Sequence, residues 1–123
     1  KPEQVFSRSA NGVVTVEGVS GTVRSVSIEP TQEFAEAIFP NRVGEYYLLI
    51  TNPSGVVMES DITVRILEQW RPLVKNLTDL SLYRFDKVTR QWAVLPTVFD
   101  FPQSQMMARM DLSGPTWIAV GKK

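Results

Sequence analysis

Apolar and polar residues alternate in short runs along most of this chain, the period-two pattern of strands with one buried face. Ile62, Val64 and Ile66 alternate with Thr63 and Arg65, and Met106, Ala108, Met110 and Leu112 alternate with Gln105, Met107, Arg109 and Asp111. Val13-Val14-Thr15-Val16 and Val23-Arg24-Ser25-Val26-Ser27-Ile28 are rich in β-branched residues and lie on either side of a Gly18…Gly21 turn region. In the second run Val26 and Ile28 face the core and Arg24 sits at the exposed start. Tyr46-Tyr47-Leu48-Leu49-Ile50 is apolar on both faces, as a central strand covered on both sides would be. Leu80–Asp86 and the segment around Trp92 read as a hairpin, with Asp86 accepting from turn amides at 87–89. Thr116-Trp117-Ile118-Ala119-Val120, after a Gly114-Pro115 turn, is a final strand.

Breakers separate these runs. Asn52-Pro53-Ser54-Gly55 is a turn signal, because proline presets φ and glycine accepts positive φ. Phe34–Phe39, between Pro30 and Pro40, fits a helical turn, an edge strand or a loop. Residues 67–78, which include Trp70 and Pro72, read as a longer connection crossing between sheets. The sum is an all-β chain, an antiparallel β-sandwich of about eight or nine short strands with little helix. It is expected to be a single domain over residues 1–123, with a two-part split near residue 70 as the alternative.

Composition changes this picture mainly by exclusion. With 123 residues and 43% hydrophobic content the chain can bury a real core without cross-links. No apolar run approaches the roughly 18–20 residues of a membrane-spanning helix. Thirteen basic and thirteen acidic residues cancel with no basic stripe, which argues against nucleic acid as a partner. There is no cysteine and no histidine, so thiolate catalysis, cysteine-ligated metals and the commonest general base are absent. The chain starts at Lys1 without a signal-type segment and is expected to be a module of something longer.

From Gly44 onward, four segments resemble one sandwich family. They are Gly44-Glu45-Tyr46-Tyr47-Leu48, Ile62-Thr63-Val64-Arg65-Ile66, Leu82-Tyr83-Arg84-Phe85-Asp86…Trp92-Ala93-Val94-Leu95, and Ser113…Ile118-Ala119-Val120. The pattern resembles the zonula-occludens/netrin-receptor type of β-sandwich module, also found in ankyrins and bacterial surface proteins. The resemblance implies a non-catalytic scaffold or interaction domain. Some relatives cleave themselves at His-Phe-Ser; Asp111-Leu112-Ser113-Gly114 lacks both His and Phe, which leaves Ser113 without a neighbouring base. The Tyr-Arg-Phe-Asp…Trp segment also resembles a kelch blade hairpin, but it occurs once and lacks the glycine doublet.

No catalytic residue, metal ligand or cofactor site stands out. Glu59-Ser60-Asp61 comes closest to a Ca²⁺ pattern, yet strand-end carboxylates explain it better. Trp92 and Trp117 are expected to plug the core between sheets. Trp70, beside Arg71 in the connection, is the aromatic best placed for exposure, and with Tyr47 it would offer a sugar-stacking surface. Asn76-Leu77-Thr78 matches a glycosylation sequon. Met106 and Met110 fill core gaps, leaving Met107 outward. The expected role is a non-catalytic accessory or protein-interaction module of a larger exported or cell-surface protein. Its partners would be other domains of the parent chain or a separate protein, with glycan binding through Trp70, Arg71 and Tyr47 as the alternative.

Overall fold

The computed structural model describes residues 2–34 and 38–123. Among these residues ten strands form two five-stranded antiparallel sheets that pack face to face as a sandwich. The strands are β1 (Glu3–Arg8), β2 (Val14–Ser20), β3 (Ser25–Thr31), β4 (Arg42–Asn52), β5 (Met58–Arg65), β6 (Leu80–Asp86), β7 (Gln91–Val94), β8 (Val98–Asp100), β9 (Gln105–Leu112) and β10 (Thr116–Lys122). Sheet A runs β1-β2-β5-β9-β8 and sheet B runs β3-β4-β10-β6-β7. The sandwich class is as the alternation implies, and two strands beyond those expected are β1 and β8. Both are edge strands, where a single paired side demands little of the sequence. β1 carries one alternating core residue, Val5, and β8 is three residues long.

The inner faces meet through the alternating residues. Val14, Val16, Ile62, Val64, Met106 and Leu112 of sheet A oppose Leu49, Leu80, Leu82, Ile118 and Val120 of sheet B, all essentially inaccessible to water. Each such side chain contributes about 1.5–3 kcal/mol of burial. Met106 and Met110 are inside and Met107 is on the outer face. The stretch after β5 crosses from sheet A to sheet B through two short 3-10 turns, Glu68–Leu73 and Leu77–Asp79. At the second turn the Asp79 carboxylate accepts from the Asn76 amide (3.2 Å).

The β6–β7 hairpin closes as its residues dictate. Asp86 Oδ1 accepts from the amides of Val88 (2.8 Å) and Thr89 (3.2 Å), and Arg90 turns the chain with φ 58°. Trp92 and Trp117, however, do not lie between the sheets. Both project from the outer face of sheet B into a second cluster with Phe34, Phe39, Tyr46, Phe85 and Ala119. Phe34 and Phe39 come from the β3–β4 connection and lie across Tyr46, Phe85 and Trp92, with ring centroids 4.8–5.6 Å apart. The register explains the correction. Phe85 pairs with Trp92, and Ala119 pairs with both Tyr46 and Tyr83, so these residues share the face opposite Leu82, Ile118 and Leu49. Within the ambiguous segment 34–39, residues 35–37 lie outside the described residues; Phe34 and Phe39 contribute rings rather than strand pairing.

β4 therefore has apolar cover on both sides, as its composition implies. Its register against β10 shifts between Tyr46 and Val43, where Gly44 and Glu45 form a bulge. Gly44 has φ 73°. A Cβ there would stand 2.8 Å from Cζ2 of Trp70. The bulge lets the Trp70 ring close one end of the core.

Candidate functional site

The aromatic surface expected around Trp70 does not form. Trp70 is 3% exposed and packs into the main core from the first 3-10 turn. A residue in a connection is not thereby a surface residue: this connection spans the open end of the sandwich, and the indole fills that end. Tyr47 is also buried, at 2% exposure. Its hydroxyl accepts from Asn11 Nδ2 (3.0 Å), and Asn11 Oδ1 accepts from Ser9 Oγ (2.6 Å), whose oxygen receives the amides of Val13 and Val14. Burial pushes the Tyr47 hydroxyl above its ordinary pKa, against the hydrogen bond from Asn11. The phenol thus ties the β1–β2 turn to β4. Arg71 is exposed and its Nε meets Glu68 Oε1 at 3.1 Å within the same turn. The three residues do not converge, and a sugar platform of Trp70 and Tyr47 is not available on the surface.

The two outer faces differ. Sheet B's face carries the aromatic cluster and is covered by the chain's own Phe34 and Phe39. Sheet A's outer face has no such cover among the described residues. Its side chains stand in rows set by the strand register. One row is Phe6, Glu17, Asp61 and Arg109. The next is Arg8, Thr15, Thr63, Met107 and Val98, one residue from each of the five strands. Phe6 is 57% exposed, and Val98 and Val19 are exposed as well.

The charges on this face divide into occupied and unoccupied groups. Arg109 bridges β9 to β5, with Nη1 2.8 Å from Glu59 Oε1 and Nε 2.9 Å from Asp61 Oδ1. This pairing accounts for the Glu59-Ser60-Asp61 run. Among the described residues no three carboxylates converge as a cation site. Glu17 accepts from Gln4 Nε2 (3.3 Å). Arg8 and Arg65 have no ion-pair partner among the described residues; the Arg8 guanidinium lies over the Phe6 ring, 5.9 Å from its centroid. The two arginines line one depression of about 260 Å³ together with Thr15, Thr63 and Gln105. A second groove of about 550 Å³ adjoins it at Thr63 and is lined by Pro96, Val98 and Met107 together with Glu17, Asp61 and Arg109. Arg8 and Phe6 take their place on this face only through β1, an edge strand with a single core residue, Val5, that local periodicity does not single out. Its period-two signal lies only in Phe6 and Arg8 alternating with Val5 and Ser7.

The hydrogen bond from Arg109 holds the Asp61 carboxyl below its usual pKa. A carboxyl depressed in the folded state stabilises above its unfolded pKa and loses that contribution as pH falls through the folded value. Arg109→Gln is therefore expected to cost a small amount of stability at pH 7. That difference shrinks in 1 M salt, because the pair is exposed, and disappears below the Asp61 folded pKa. Thermal melts of both proteins from pH 7 to pH 2 check this; a difference that persists in acid and high salt would contradict it.

No family model, curated protein or solved structure matches the chain.

Proposed function

We propose that this chain is a non-catalytic protein-interaction module of a larger exported or cell-surface protein, and that the outer face of sheet A is its binding face. The observation that supports this is the asymmetry of the two outer faces. One is roofed by the chain's own aromatic residues, and the other presents Phe6, Val19, Val98 and Met107 among ordered polar rows. A five-stranded sheet in rigid register holds those groups at fixed spacing, which reduces the ordering cost on binding. The resemblance of Gly44–Leu48, Ile62–Ile66 and Leu82–Leu95 to zonula-occludens/netrin-receptor modules points to the same role.

Site-specific photocrosslinking tests the reading in cells that make the protein. Photoreactive phenylalanine analogues at Phe6 and Val98 should give discrete adducts with a protein partner. The same analogue at Ser27 and Val94, on sheet B, should not. Discrete adducts from sheet B alone, or from neither sheet, would refute the assignment.

A further inference from the structure

The row Arg8-Thr15-Thr63-Met107-Val98 crosses all five strands of sheet A and changes chemistry along its length. It begins with a cation, passes two hydroxyls, and ends on a thioether and a valine. Arg65, in the neighbouring row, adds a second guanidinium to the cationic end, beside Gln105. Neither arginine has an ion-pair partner among the described residues, whereas the carboxylates of the adjacent row are engaged, Asp61 by Arg109 and Glu17 by Gln4. Two unpaired guanidiniums with flanking hydroxyls and an amide suit a carboxylate, since Arg offers planar, bidentate donors. In the second groove, Pro96, Val98 and Met107 suit an apolar side chain, and the Glu17 and Asp61 carboxylates that also line it disfavour a second acidic one there.

We infer that the outer face of sheet A binds an extended acidic peptide segment of a partner protein, its carboxylate on Arg8 and Arg65 and an apolar residue in the Met107–Val98 groove. The inference rests on the proposal that this face is the binding face, and it names the partner's chemistry. Adjacent strands are about 4.8 Å apart, so three steps from Arg8 to Met107 span roughly 14 Å. An extended peptide rises about 3.3 Å per residue, and residues i and i+4 point the same way about 13 Å apart. The recognised pattern is therefore an acidic and an apolar residue four positions apart, and the order with the acidic residue first is the one proposed.

Amide-resolved NMR titration of the domain tests this with the blocked peptide acetyl-Glu-Ser-Thr-Ser-Leu-amide. It should give saturable shifts at Thr15, Thr63, Gln105 and Met107. The Gln-for-Glu peptide, and a peptide with Glu and Leu adjacent, should bind at least about tenfold more weakly. The R8Q/R65Q double variant, whose fold is checked by its unchanged core signals, should lose the preference for Glu over Gln. Equal binding of the Glu and Gln peptides, or a preference that survives in R8Q/R65Q, would overturn the acidic-peptide assignment. So would the absence of saturable shifts up to 10 mM peptide. If Phe6 and Val98 still crosslinked a partner in that case, the binding face would stand and only its assigned ligand would fall.

Discussion

Trp70→Ala is expected to lower the free energy of unfolding by about 3–5 kcal/mol, the cost of emptying a large aromatic site in a core. The ring is 3% exposed and closes the end of the sandwich where the chain passes from sheet A to sheet B. It is held against Gly44, which turns the β4 bulge with φ 73° and has no Cβ to collide with Cζ2. Gly44→Ala should destabilise too, by about 2–3 kcal/mol, combining a side chain at positive φ with overpacking against the indole. In the Trp70→Ala background the collision is gone and only the backbone term remains, so the double mutant should lose less than the sum. Arg71→Ala, one residue along, should change stability by less than about 0.5 kcal/mol, since the side chain is exposed and its partner Glu68 is more exposed still. Urea unfolding of the four variants decides the matter. A Trp70→Ala cost below about 0.5 kcal/mol would return that ring to the surface and reopen the sugar platform.

Trp92→Ala should cost about 2–4 kcal/mol, and the damage should be confined to one face of sheet B. Trp92 is partly exposed and contacts Phe34, Phe39, Tyr46 and Phe85, with centroid distances of 5.4–5.6 Å. Removing it strips the shared partner from four rings, while the inter-sheet core on the opposite face keeps every contact. In NMR spectra, aromatic signals of Phe34, Tyr46 and Phe85 should therefore move while methyl signals of Leu49, Leu82 and Ile118 stay in place. Equal perturbation of both sets would mean that the indole lies between the sheets after all.

These two tryptophans show where the sequence was legible. Period-two alternation identifies the strand and separates its two faces, and so β5, β9 and the Asp86 turn could be read directly. It also marked Tyr46–Ile50 as a strand covered on both sides. Alternation does not say which face of a sheet receives further chain, because that depends on where a distant segment lands. Trp92 belongs to an aromatic face in the pattern, and only the arrival of Phe34 and Phe39 makes that face a second core outside the sandwich. Trp70 lies in a segment with no strand periodicity, and such segments are more often surface than core. Its burial follows from the crossing between sheets and from a glycine 26 positions earlier in the chain.

The candidate binding face divides in the same way. That Thr63, Met107 and Arg109 point away from the core is written in the alternation of β5 and β9, because successive Cβ atoms of a strand take opposite sides. That Arg8 completes a row with Thr15, Thr63, Met107 and Val98 is not, because cross-strand neighbours are fixed by register among five strands drawn from the whole chain. The sequence by itself determined an all-β chain and the inward residues of its longer strands, since both follow from local periodicity and turn chemistry. The tertiary structure decided that Trp70 and Tyr47 are buried, that sheet B is roofed and that two arginines share one depression, since each of these depends on segments far apart in sequence being brought within a few ångströms.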